Sequence, residues 1–219
     1  MRLNYKQLFE CLLELLLPRS RAVREIEAMS PADWRRRAGR AAGHLPPDTL
    51  ALFDYGNKLT RQAIWELKYR GNKKITTLLA DCLYEELAEE LSLRKAFENF
   101  ERPLLIPMPL SGKRQRQRGF NQSQFLAAAL LERGGGRFFE AAREVLVKVK
   151  DTESQTKKNR AERLKNLSGC FAVRSPAKIA GRNVILLDDV TTTGATFEEA
   201  RKTLARAGAG KILAVAVAH

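Results

Sequence analysis

Residues 184–196 read VILLDDVTTTGAT, and these thirteen positions constrain the fold of the 219-residue chain more than any other stretch. Four apolar residues in a row suit a parallel strand covered on both faces, where an alternating pattern would leave one face wet. The strand ends in two carboxylates, Asp188 and Asp189, and a loop of small residues leads into a helical pattern. In open α/β sheets ligands bind beyond the carboxyl ends of the strands. The loop Thr191, Thr192, Thr193, Gly194, Ala195, Thr196 offers backbone N–H groups, hydroxyls and one glycine. The helix after it presents its positive end, so loop and helix together make a phosphate cradle. Asp188 and Asp189 would repel a phosphate, and their natural partners are hydroxyl groups or a hydrated cation. A phosphate on one side and a diol on the other describe a ribose 5-phosphate. The competing reading is an acidic strand end followed by an ordinary helix cap. The length of the motif argues against it.

The rest of the chain alternates strand and helix patterns. Strands are expected over 50–55, 104–109, 145–149, 170–173, 184–187 and 211–218. Helices are expected over 1–17, 57–69, 74–91, 122–133 and 196–207. Residues 111–119 read as a basic loop and 134–136 as a glycine turn, and Gly71 stops the helix before it. This order predicts an α/β fold with a mostly parallel central sheet flanked by helices. Residues 1–49 form a small helical N-terminal extension, with Arg35, Arg36, Arg37 and Arg40 close together and Pro46–Pro47 as the break. Residues 50–219 form the main domain. Trp34, Trp65, Phe120 and Phe125 read as packing residues. Lys68 and Tyr69 are read either as lining the site or as the closing turn of their helix.

The formal net charge is +14, which favours polyanions or phosphorylated ligands. On charge alone, nucleic acid and a phosphorylated small molecule are served equally. Two segments localise the charge. Residues 105–124 carry Lys113, Arg114, Arg116 and Arg118 in six positions, followed by Gly119. Such a cluster at a strand end suits a pyrophosphate or a nucleic-acid backbone. Residues 155–171 are polar and basic, and a segment of that kind reads as a lid whose Lys157, Lys158, Arg160 and Arg163 reach the pyrophosphate.

The motif at 184–196 resembles the signature of the phosphoribosyltransferases: four apolar residues, two acidic, one apolar, then a Thr/Gly-rich loop. The resemblance implies the type I phosphoribosyltransferase fold, with Asp188 and Asp189 on the ribose hydroxyls of phosphoribosyl pyrophosphate and the 191–196 loop on its 5-phosphate. It implies Mg²⁺ arriving with that ligand. Some purine-using members carry an aspartate where this chain has Thr192, and threonine cannot exchange a proton at neutral pH, so purine salvage is not expected. The blocks PMP, RQRGFNQ, QT, R-x-x-R and N-x-x-x-x-F, with LKYRG before them, narrow the resemblance to the ComF branch over residues 50–219. Members of that branch are associated with DNA uptake in natural transformation, which implies single-stranded DNA or the uptake machinery as partners.

Typical ComF members open with a four-cysteine zinc ribbon. Residues 1–49 of this chain hold only Cys11, so the region reads as a degenerate ribbon and no zinc is expected. Cys11, Cys82 and Cys170 read as buried thiols, and a cytoplasmic protein without membrane insertion is expected. Two functions remain open from sequence. One is phosphoribosyl transfer to an unidentified acceptor. The other is a non-catalytic nucleic-acid-binding accessory role for the basic surface. Neither the catalytic groups nor the oligomeric state can be read.

Overall fold

The computed structural model describes residues 20–142, 144–150 and 167–219. The helix expected over 1–17 and the lid cations Lys157, Lys158, Arg160 and Arg163 lie outside these residues. In chain order the strands are β1 (Thr49–Phe53), β2 (Leu104–Pro107), β3 (Glu140–Ala141), β4 (Leu146–Lys148), β5 (Phe171–Val173), β6 (Val184–Val190) and β7 (Ile212–Ala218). Five of them form one parallel sheet in the order β1-β7-β6-β2-β3, so the strand bearing the acidic pair lies at its centre. The described helices are α1 (Arg21–Glu27), α2 (Pro31–Ala38), α3 (Lys58–Tyr69), α4 (Lys73–Glu98), α5 (Gly112–Arg118), α6 (Gln122–Glu132), α7 (Pro176–Ile179) and α8 (Ala195–Arg206). The α/β architecture with a parallel central sheet between helices is therefore the one the sequence predicts.

The sheet is covered on both faces, and β6 shows why its residues are uniformly apolar. Ile185 and Leu187 join one core, with Trp34, Ile64, Leu79 and Leu126. Val184 and Leu186 join the other, with Phe197, Ala200 and Leu204 of α8. Strand β7 divides its residues by size. Leu213, Val215 and Val217 fill the first core, while Ala214 and Ala216 line the second. Alanines on that face leave room for the large side chains of α8, as dense interior packing requires. Each fully buried Leu, Ile or Val contributes roughly 1.5–3 kcal/mol through water release.

Helices α1 and α2 pack into the first core through Val23, Ile26, Trp34 and Ala38. Each begins at a serine, Ser20 and Ser30, whose hydroxyl accepts an N–H of the first turn. Trp34 is fully buried, its ring edge-on to Phe53 at 5.7 Å.

Three sequence expectations need correction. Helix α4 continues seven residues past the expected end at 91, because 92–98 hold helix formers and the left-handed stop comes only at Asn99. The 111–119 segment is helix α5 rather than a loop. Ser111 caps its start by accepting the Arg114 N–H, and Gly119, at φ +77°, ends it. None of its residues is buried, so no apolar period marks it. Strands β4 and β5 leave the main sheet and pair antiparallel as a separate two-stranded ribbon.

Candidate functional site

The site is built where β6 ends and the first turn of α6 meets it. Asn121 sets the meeting point. Its side chain accepts the Ser123 N–H at 2.9 Å and donates to the Met108 carbonyl at 3.0 Å, tying the start of α6 to the end of β2. That anchor aims Gln122 and Ser123 at the acidic pair. Ser123 Oγ donates to Asp188 Oδ1 at 2.9 Å, an oxygen that also accepts the Asp189 N–H at 2.9 Å. Gln122 Nε2 donates to Asp189 Oδ1 at 3.3 Å.

The other oxygen of Asp189 meets Lys68 Nζ at 2.8 Å. Lys68 is therefore a site residue. Helix closure does not need it: Arg70 caps α3, its N–H bonded to Glu66. Burial alone would lower the Lys68 pKa, but Asp189, then Asp188 and Tyr55, more than offset this and hold the ammonium protonated. Asp189 is 3% exposed, so its charge has to be met internally, and Gln122 and Lys68 do this from opposite sides. Asp188 keeps part of its surface open. Its carboxyl is pushed up to about 7, first by desolvation and then by the neighbouring Asp189.

The loop after β6 begins with an anchor. The Thr191 N–H donates to the Ala218 carbonyl at 2.9 Å and the residue is buried, so this backbone donor belongs to the sheet rather than to the cradle. Gly194, at φ +74°, starts α8, and no side chain caps that helix. A Cβ at Gly194 would lie 2.6 Å from the Pro46 ring, so glycine is demanded both by conformation and by space. Thr192, Thr193, Ala195 and Thr196 complete the turn around this helix start.

Helix α5 follows β2, the neighbour of β6, and brings its cations to the same sheet edge. No described carboxylate pairs with Lys113, Arg114 or Arg116. Arg118 donates to Gln122 Oε1 at 2.9 Å and lies over the Tyr69 ring at 5.0 Å. Trp65, expected in the core, is 44% exposed and carries Arg70 over its ring at 5.5 Å. Its helical position faces outward while Ile64 and Leu67 take the core face. Phe120 and Phe125 stack on each other at 4.9 Å, and both lie against Gly71. Cys82 and Cys170 are buried, and desolvation pushes the Cys82 thiol up to about 11, far from a reactive thiolate.

A parallel sheet with an acidic pair and an uncapped helix start at the end of its central strand defines an α/β protein with a candidate ligand site at the sheet's carboxyl edge. No family model matches the chain. Relatives do. The DNA utilization protein YhgH of one Escherichia coli strain is 30% identical over 176 residues, 80% of this chain and 74% of that protein. The competence protein ComFC of Bacillus subtilis is 30% identical over 152 residues, 69% of this chain and 56% of that protein. The chain belongs to the ComF family. It spans 56% and 62% of the length of the Bacillus subtilis and Streptococcus pneumoniae ComFC proteins. Among solved structures, an L. donovani hypoxanthine-guanine phosphoribosyl transferase overlaps 65% of this chain and 71% of its own, at TM-score 0.39 and 14% identity.

Among the described residues no helix is long and apolar enough to cross a membrane, and no group of three His, Cys, Asp or Glu side chains could hold a metal ion.

Proposed function

We propose that this chain binds phosphoribosyl pyrophosphate across the carboxyl end of β6. The ribose hydroxyls would meet Asp188 and Asp189. The 5-phosphate would lie in the turn Thr192–Thr193–Gly194–Ala195–Thr196, which Thr191 anchors. One observation carries this reading: two carboxylates at a strand end stand beside a helix start that no side chain caps. The carboxylates suit hydroxyl donors and the helix start suits an anion, and a sugar phosphate supplies both on one molecule. The cations of α5 lie at the same edge to meet the pyrophosphate.

Mg²⁺ would arrive with the ligand. The donor set fits a hydrated ion shared with pyrophosphate rather than a cage of protein side chains, since no group of three His, Cys, Asp or Glu among the described residues could hold a metal ion. Such an ion would supply neutralisation of the pyrophosphate charge. Phosphoribosyl transfer would then break the C1–O bond of the ligand and join C1 to an acceptor nucleophile, with pyrophosphate leaving. The names of the relatives, ComFC and DNA utilization protein, support a part in DNA uptake or use.

A second reading has its own support. Exposed Trp65 and Tyr69 carry Arg70 and Arg118 over their rings, and Arg118 shares α5 with Lys113, Arg114 and Arg116, which no described carboxylate pairs. Aromatic faces among cations are how single-stranded nucleic acid is held without sequence readout. This surface would make the chain a nucleic-acid-binding accessory protein whether or not it turns over a substrate.

Calorimetric titration with phosphoribosyl pyrophosphate, with and without Mg²⁺, tests the first reading. Saturable, Mg²⁺-dependent binding is expected. No binding by folded protein would discard it and leave the nucleic-acid reading, whose own signature is DNA affinity falling steeply with salt.

A further inference from the structure

Asp189 is fixed by a chain of contacts that starts on the basic helix. Arg118 donates to Gln122 Oε1 at 2.9 Å, and Gln122 Nε2 donates to Asp189 Oδ1 at 3.3 Å. The chemistry of the two neighbours allows only this orientation of the amide. Turned over, it would set its NH₂ against a guanidinium and its oxygen against a carboxylate. Gln122 is buried, so water cannot replace either partner. Arg118 is steadied in turn by the face of Tyr69 at 5.0 Å. Tyr69 adjoins Lys68, whose ammonium holds the second oxygen of Asp189 at 2.8 Å. The contacts therefore close a ring through both oxygens of one carboxylate.

We propose that Arg118 and Gln122 are positioning residues for the ribose end of the site: Arg118 orients the Gln122 amide, and the amide holds Asp189 in the geometry that receives the hydroxyls. This rests on the reading of the acidic pair given above. It differs from the sequence expectation, in which Arg118 serves the pyrophosphate. A positioning arginine affects ligands that contain no pyrophosphate at all. The arrangement also couples the two ends of the ligand site, because an anion that draws Arg118 away releases the amide from its fixed orientation.

The experiment uses ribose 5-phosphate, measured by competition against phosphoribosyl pyrophosphate with Mg²⁺ present. The proteins are the unaltered chain, Arg118→Ala, Gln122→Leu and the double variant. Each single substitution is expected to weaken ribose 5-phosphate binding about tenfold, the scale of one hydrogen bond to a charged group. The double variant is expected to be no weaker than the worse single one, because both act through one contact. Gln122→Glu keeps a partner for Arg118 but faces Asp189 with a second carboxylate, and a larger loss than in Gln122→Leu is expected. Melting curves check folding, and Gln122→Met, closer in shape, replaces any Gln122 variant that fails to fold.

Unchanged ribose 5-phosphate affinity in Arg118→Ala overturns the proposal, as do additive losses in the double variant. So does binding of phosphoribosyl pyrophosphate with no competition by ribose 5-phosphate. In the first two outcomes ribose 5-phosphate still binds and the reading of the site stands; in the third the ribose reading falls with the proposal. No binding of either compound by the unaltered, folded chain removes both.

Discussion

The two charged ends of this site are built in opposite ways. At the acidic end, Asp189 is 3% exposed and both its oxygens are engaged, by Gln122 and Lys68. At the basic end, α5 buries none of its residues, and Lys113, Arg114 and Arg116 have no described carboxylate beside them. Burying a charge is costly unless partners meet it, so the acidic end is wired into the fold. An exposed cation costs little to leave unpaired, so the fold need not supply it a partner. Substitutions at the acidic end should therefore change binding and stability together, and substitutions at the basic end should change binding alone.

The largest effect is expected from Asp188→Asn combined with Asp189→Asn. Loss of two charged acceptors should weaken phosphoribosyl pyrophosphate by about 100-fold or more in calorimetry. Lys68→Met comes next and tests the wiring directly. It leaves Asp189 buried without its cation, and chemical denaturation should show a loss of about 2–3 kcal/mol, with Lys68→Arg restoring part of it. Equal stability of Lys68→Met and the unaltered chain would break the contrast between the two ends.

Neutralising Lys113, Arg114 and Arg116 together should weaken ligand binding by about tenfold at low salt, fade toward no effect in high salt, and leave the melting temperature in place. A lowered melting temperature would show that α5 is bound into the fold after all. The smallest effect concerns pH. In the folded chain the Asp188 carboxyl is pushed up from 3.8 to about 7. The folded state thus keeps a proton that the unfolded chain releases near its ordinary value. Stability from this group is present at low pH, falls as pH climbs from about 4 to 7, and is level above. Asp188→Asn removes that loss. Its melting temperature should exceed that of the unaltered chain by a few degrees at pH 8 and match it near pH 4.

The acidic end was legible in the sequence because its signal is local. A buried parallel strand, two carboxylates and a small-residue loop are consecutive, and the physics that joins them acts within one strand–turn–helix unit. The partners of the carboxylates were not legible as partners. Lys68 reaches Asp189 from a helix that ends 120 positions earlier in the chain, and nothing in LKYRG separates a site lysine from one in a closing turn. Helix α5 is hidden in the sequence for a different reason. A helix that buries nothing has no apolar period, although Ser111 and Gly119, its two caps, were in plain view. Trp65 faces outward, against the inward placement expected of an aromatic residue on a helix, because Ile64 and Leu67 already fill the core face.

The central claim is that the acidic pair receives the hydroxyls of a ribose phosphate. The most direct measurement compares ribose 5-phosphate with 2-deoxyribose 5-phosphate, as competitors of phosphoribosyl pyrophosphate, in the unaltered chain and in the double asparagine variant. The deoxy sugar should bind at least about tenfold more weakly to the unaltered chain, since a site that holds a hydroxyl rejects the analogue without it. In the variant that preference should shrink or vanish. Equal affinity of the two sugars for the unaltered, folded chain would contradict the claim.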